Sequence, residues 1–136
     1  MTHHEHPDAA LVRQGYAAFE KGDMQALGDL LTGDCTHHSP GNTRFGGHFK
    51  GRDNVLAHYG DISEYTGGTM RIELDGIFVD GRGHVLTSHK WHADHGDRGI
   101  SMRGGLFFTL IDGKASDIDE CIEDIEEADA FLSLDD

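Results

Sequence analysis

The chain predicts an α+β domain, and three observations carry that prediction. Apolar residues recur at helical spacing between Leu11 and Ile62. From Thr69 onward the period drops to two, as in Met70, Ile72 and Leu74 alternating with Arg71, Glu73 and Asp75. Turn signals at Asp80-Gly81, Gly96-Asp97 and Asp112-Gly113 then divide the second half into strands. Helices followed by strands is the order of a fold in which three helices gather on one face of a largely antiparallel sheet.

The first helix is expected to open on Asp8 as N-cap and to bury Leu11, Val12, Gly15, Tyr16 and Phe19 before it ends at Lys21-Gly22. Asp23 caps a second helix in which Met24, Leu27, Leu30 and Leu31 recur. A short strand from Asp34 to Ser39 stops at Pro40-Gly41, and a glycine-rich crossover leads to a third helix at Gly51-Arg52-Asp53. That helix turns Val55, Leu56, Tyr59 and Ile62 inward. Gly76 breaks the alternation of the next strand and predicts a bulge of the kind a strongly curved sheet needs. Strands are expected over His84–His95, Ile100–Ile111 and about Lys114–Glu123.

With 136 residues and 37% hydrophobic content, the chain can bury a real core without disulfides or metal. A single domain is expected over residues 8–132, between a disordered histidine-containing tail (1–7) and an acidic tail (133–136). His3, His4 and His6 belong to the first tail. Cys35 and Cys121 have no CxxC spacing and read as free thiols, two small buried hydrophobes in a reducing cytoplasm. Acidic residues number 25 against 11 Lys plus Arg, a net charge of −14, which disfavours nucleic acid and anionic membrane as partners. The N-terminus lacks the apolar stretch of a signal peptide, and no apolar run reaches membrane-spanning length.

Alternation nominates the polar residues that share a face. In the first strand Cys35, His37 and Ser39 lie on one side, Thr36 and His38 on the other. In HVLTSHKWHADH, Lys90 seeks water together with Leu86, Ser88 and His92, so Val85, Thr87, His89 and Trp91 face inward. Met102, Gly104, Leu106, Phe108 and Leu110 form the inward row of the following strand. In the last strand Ile118 and Ile122 bracket Glu120, which places a carboxylate in an apolar row, where burial should raise its pKa. A one-residue slip would nominate Asp119 instead.

The Gly22-Asp23 junction, the Ser39-Pro40-Gly41 stop and the crossover GGHFKGRDN together resemble the nuclear-transport-factor-2-like superfamily. The similarity is to its SnoaL-like branch, related to polyketide cyclases and ketosteroid isomerase, and it spans about Leu11 to Leu132. It implies a cone-shaped, cystatin-like α+β barrel whose helices cover a curved sheet and leave a pocket at one end. It also implies His37 inward, a cofactor-free pocket and a homodimer through the outer sheet face.

On the same anchors, the ketosteroid isomerase's hydrogen-bonding tyrosine falls on Gly15, its base on Ser39 and its protonated aspartic acid on Leu106. All three groups are missing here, so that machinery is not expected. A carboxylate in the last strand of the limonene-epoxide-hydrolase-like branch falls on Glu120, although the arginine before it falls on Asp119. SnoaL-like cyclases also carry an acid from this strand, for which Glu120, Asp119 and Asp124 are available.

The expected function is therefore proton transfer without cofactor or metal on a small, mostly apolar carbonyl or polyketide-like metabolite, by cyclisation, isomerisation or dehydration. Glu120, His37, His89 and Asp119 are the catalytic candidates. Tyr16, Tyr59, Trp91, Met102, Leu106 and Phe108 are expected to line the pocket. Each histidine could equally be a hydrogen-bonded wall residue, and His37, His89 and Glu120 could converge as two imidazoles and a carboxylate around a metal. Epoxide opening and ligand binding without catalysis are the alternatives.

Overall fold

The computed structural model describes residues 5–136; His3 and His4 lie outside the described residues. Helix α1 spans Pro7–Lys21, α2 Met24–Asp29 and α3 Arg52–Tyr65, with strands β1 (Leu31–Ser39) and β2 (Gly47–Lys50) between the last two. Strands β3 (Arg71–Val79), β4 (His84–His95), β5 (Arg98–Ile111) and β6 (Lys114–Ile122) follow, and α4 (Ile125–Leu132) completes the order. The six strands form one sheet in the order β2-β1-β6-β5-β4-β3. Every pairing is antiparallel except β1 with β6, which run parallel. The fold is α+β, a curved, unclosed sheet with helices packed against it.

Several boundaries differ from expectation for local reasons. The N-cap of α1 is His6, whose Nδ1 accepts the Asp8 amide at 3.1 Å, because Pro7 occupies the first helical position, where a missing N–H costs nothing. Residues 5 and 6 are thus tied to the domain, and Glu5 holds Arg13 at 2.9 Å. Strand β1 begins at Leu31, where it meets Ala115 of β6. The crossover contains β2, whose four residues pair with Thr36 to Ser39 and are too few to show a period.

A fourth helix, absent from the three expected, follows Asp124, whose carboxylate caps it by accepting the Glu127 amide at 3.0 Å. Its sequence is an acidic run with only Ala128 and Phe131 buried, so its pattern is faint. The irregularity in β3 falls between Leu74 and Gly76, where the alternation breaks. Beyond it Ile77 packs on the core, and Phe78 turns outward.

The interior holds two apolar clusters. One gathers Val12, Val55, Val85, Phe108 and Ile118 between α1, α3 and the sheet; the other gathers Phe45, Tyr65, Trp91, Ile100, Met102 and Phe131. Full burial of a valine stabilises by about 1.5–3 kcal/mol, so Val12, Val55 and Val85 anchor the helix layer on β4. Cys35 is buried as expected, whereas Cys121 is exposed, because it faces away from Glu120 and the cone interior. On that outer face Phe78, Leu86 and Phe107 are neighbours across three strands and remain 60%, 50% and 40% exposed. Among the described residues no helix is long and apolar enough to cross a membrane.

Candidate active site

A cavity of about 160 Å³ lies between the helices and the sheet, and its walls are largely apolar. Leu11, Val12 and Phe19 of α1, Leu27 of α2, Phe108 of β5 and Ile118 of β6 supply much of that wall. Polar groups enter from five elements: Tyr16 from α1, His37 from β1, His58 and Tyr59 from α3, His89 from β4 and Glu120 from β6. The parallel pairing of β1 with β6 sets His37 beside Ile118, and the antiparallel pairing of β5 with β6 sets Glu120 beside Leu106. Glu120 therefore points inward, as alternation around Ile118 and Ile122 requires.

His37, 5% exposed, joins two partners. Its Nε2 lies 2.8 Å from Glu120 Oε1 and its Nδ1 lies 2.7 Å from the Tyr59 hydroxyl. Toward an ionised carboxylate Nε2 must donate, so in the neutral imidazole Nδ1 accepts the Tyr59 proton. Burial raises the Tyr59 pKa, which keeps that proton in place.

For Glu120, burial is the largest influence and pushes the pKa up, but the His37 hydrogen bond and the electrostatic pull of His37, His58 and His89 together outweigh it, and the carboxyl sits below its ordinary value. The expectation of a raised pKa is thus corrected: the histidines that surround the carboxylate, His37 foremost, come from other elements and are unseen in the alternation of ASDIDECIED, yet together they decide the sign. Glu120 is a carboxylate near neutral pH, with Oε2 bonded to no described residue and open to the cavity.

On the other side of the cavity His89 Nδ1 lies 2.6 Å from the Tyr16 hydroxyl, which lies 2.7 Å from Thr87 Oγ1. Burial lowers the His89 pKa, and burial likewise raises that of Tyr16, so both are neutral at pH 7. Trp91 lines the cavity; its buried Nε1 meets no acceptor among the described residues.

His37, His89, Tyr16, Tyr59, Trp91, Leu106, Phe108 and Glu120 thus share one cavity, with α3 forming part of its cover. Two candidates fall outside it. Met102 is buried but packs in the second apolar cluster with Ile100 and Phe131, beyond the cavity wall. Asp119 projects from the opposite face of β6, exposed, with its Oδ1 4.0 Å from Nε2 of the outward His38. Asp124 serves as the cap of α4. Tyr65 is a packing residue whose hydroxyl donates to the Phe131 carbonyl at 2.7 Å.

His58 was missed by sequence reasoning. It is 3% exposed, stacks on Phe49 at 3.8 Å and meets the His37 ring edge-on at 5.6 Å. Burial, reinforced by His37, pulls its pKa down to about 4, so it is neutral at pH 7 and adds no cation beside Glu120. Its position three residues after Val55 and four before Ile62 places it on the inward stripe of α3, a signal the sequence does carry.

Comparison with known proteins agrees with this architecture. The chain is 28% identical over 124 residues to the uncharacterised protein Rv0034 of Mycobacterium tuberculosis, covering 91% of this chain and 95% of that one. The structure of Bal32a, from a soil-derived mobile gene cassette, superposes with a TM-score of 0.89 at 32% identity, covering 93% and 96% of the two chains. A candidate polyketide cyclase from Xanthomonas campestris shares the fold at a TM-score of 0.72 and 21% identity, over 93% and 96%. The family described as the SnoaL-like domain matches residues 12–118, most of the chain and most of the cavity's elements, stopping before Glu120 at the end of β6 and before α4. The chain belongs to the SnoaL-like family.

Proposed function

We propose that the protein is an enzyme that uses Glu120 as a general base on a small, mostly apolar carbonyl compound. One observation carries this: a carboxylate hydrogen-bonded to His37 through one oxygen, the other bonded to no described residue, lines a cavity whose walls are largely apolar. Among largely apolar walls a carboxylate with few competing donors is a better base than one in bulk solvent. Glu120 Oε2 takes a proton from the carbon next to the carbonyl. The C–H electron pair forms a carbon–carbon double bond, and the carbonyl oxygen takes the negative charge.

From that enolate the proton returns at a different carbon (isomerisation), the carbon attacks a second carbonyl (ring closure), or a β-hydroxyl leaves with the Glu120 proton (dehydration). The naming of a structural neighbour as a candidate polyketide cyclase is consistent with the second outcome. The His37–Tyr59 pair steadies the carboxylate before and after transfer. The exposed Phe78, Leu86 and Phe107 supply the apolar surface that a second copy of the chain would cover.

Because the native substrate is not needed to see proton abstraction, the test uses 2-cyclohexenone and 2-tetralone in D₂O. NMR should show deuterium entering the positions beside the carbonyl faster than in buffer. Glu120→Gln should lower that rate by about 10²–10⁴, with ketone binding kept. Asp119→Asn should leave it unchanged. Equal exchange by wild type and Glu120→Gln, or none above buffer, would sink the assignment.

A further inference from the structure

The hydrogen bonds around His89 specify which of its nitrogens carries the proton. The amide of Leu106 donates to Thr87 Oγ1 at 3.0 Å, which orients that hydroxyl from the backbone. The one Thr87 proton can go to the Leu106 carbonyl at 3.4 Å or to the Tyr16 oxygen at 2.7 Å. The 2.6 Å contact between the Tyr16 hydroxyl and His89 Nδ1 is shorter than N–H···O bonds ordinarily run, which makes the hydroxyl the donor there and leaves Thr87 to donate to the Tyr16 oxygen. Tyr16 then spends its own proton on His89 Nδ1, 2.6 Å away, and Nδ1 must be bare. The ring proton is left on Nε2.

That Nε2 has no hydrogen-bond partner among the described residues. It also lies over Gly104: a Cβ there would sit 3.3 Å from Nε2 and 3.5 Å from Ile122 Cγ2. Gly104 pairs with Ile122, two residues beyond Glu120 on the same face of β6. A side chain at Gly104 would press on Nε2 and on Ile122, and glycine keeps both clear of it.

We propose that His89 offers Nε2–H to the carbonyl oxygen of the substrate, in a tautomer imposed by Thr87 and Tyr16 in series, and that the site takes an uncharged ketone or aldehyde. The inference rests on the acid–base role of Glu120 for its chemistry, but the tautomer and the ligand class can be checked separately. Among the described residues no lysine or arginine lines the cavity, and Glu120 is its one carboxylate. An anionic ligand would meet that like charge with no lysine or arginine to offset it. A neutral ketone avoids this: as Glu120 gains the proton it becomes neutral, while the substrate oxygen becomes negative beside the His89 donor. One charge moves, and none accumulates. Tyr16 and Thr87 act as positioning residues.

The experiment is NMR of the whole protein labelled with ¹⁵N at histidine, at pH 7. The His89 signals are identified by their loss in His89→Ala or, should that variant not fold, by their shift in Tyr16→Phe. The expected result is a protonated Nε2 and a bare Nδ1. Saturating 2-cyclohexenone should move the Nε2–H proton resonance. Cyclohexene, which has the ring without the oxygen, should move pocket methyl signals and leave that proton in place.

Tyr16→Phe should convert the single tautomer into a mixture while Glu120 keeps its environment. His89→Ala should slow deuterium exchange by about 10²–10³, the effect of losing one donor to a developing oxyanion. A proton found on Nδ1, a cationic ring, an Nε2–H indifferent to bound ketone, or a cavity that no ketone enters would each overturn the proposal. If Glu120→Gln keeps full exchange while His89 behaves as described, the base is misassigned and the ketone subsite stands.

Discussion

His58 should make the fold sensitive to mild acid in a way that can be calculated. Its pKa falls from an ordinary 6.5 to about 4 in the folded chain, chiefly because it is buried at 3% exposure. Between those values the unfolded chain binds more protons than the folded one, so stability rises with pH and is lost on acidification from 6.5 toward 4. The full difference is about 3 kcal/mol, of which about 2 kcal/mol is already lost at pH 5. For a domain of this size that corresponds to roughly 5–10 °C in Tm.

His58→Phe keeps the stack on Phe49 and removes the titration. Urea unfolding of both proteins at pH 7 and pH 5 isolates the effect, since any packing cost of phenylalanine is present at both. The variant should lose about 2 kcal/mol less than wild type over that interval. His89, lowered by burial in the same direction, leaves a residual slope in both proteins. Glu120 acts outside the window: its depressed folded pKa contributes stability that is lost only below its ordinary value of 4.5. Equal losses in the two proteins, or an NMR titration in which His58 protonates near pH 6, would refute the account of its burial.

Two further outcomes concern packing. Gly104→Ala should destabilise by about 1–3 kcal/mol, because its Cβ would meet the Cys121 carbonyl oxygen at 2.7 Å and backbone would have to yield; thermal unfolding that matches wild type would contradict this. Tyr65→Phe removes the donor to Phe131 O and the acceptor of the Leu134 amide at 3.0 Å, so hydrogen exchange should quicken in α4 well before the sheet, with a global cost of about 1–2 kcal/mol.

The cavity was legible where a single period ruled. Three strands placed His37, His89, Trp91 and Glu120 on one surface because each alternates cleanly, and the helical stripe of α1 delivered Tyr16 to the same space. Legibility failed where a local contact outweighed the pattern. Met102 obeys the inward period of β5, but the cavity closes before reaching it and the second cluster takes it instead. The sign of the Glu120 shift depended on histidines of other elements, His37 foremost at 83 positions away in sequence, which alternation along β6 cannot register. His58 was passed over for a different reason: a polar residue on an apolar stripe reads as a gap, when here the stripe continues through its ring.

The chemistry of this cavity also sits beside positions where the resembling isomerase would carry its own. Gly15, Ser39 and Leu106, where the resemblance puts the isomerase's three functional groups, all line the cavity. Each has a polar neighbour. Tyr16 follows Gly15 on α1, His37 lies two residues before Ser39 on the same face of β1, and Glu120 is the cross-strand partner of Leu106. A shift of one helical position, two strand positions or one strand across moves a side chain by only about 5–7 Å. That displacement keeps each group in the same apolar enclosure while changing what it can touch. The isomerase pairs a base with two donors; this chain pairs Glu120 with a histidine that holds it and faces a second histidine fixed by two hydroxyls. The sheet and helices of this cavity supply many adjacent inward positions, and burial makes whichever polar groups occupy them consequential.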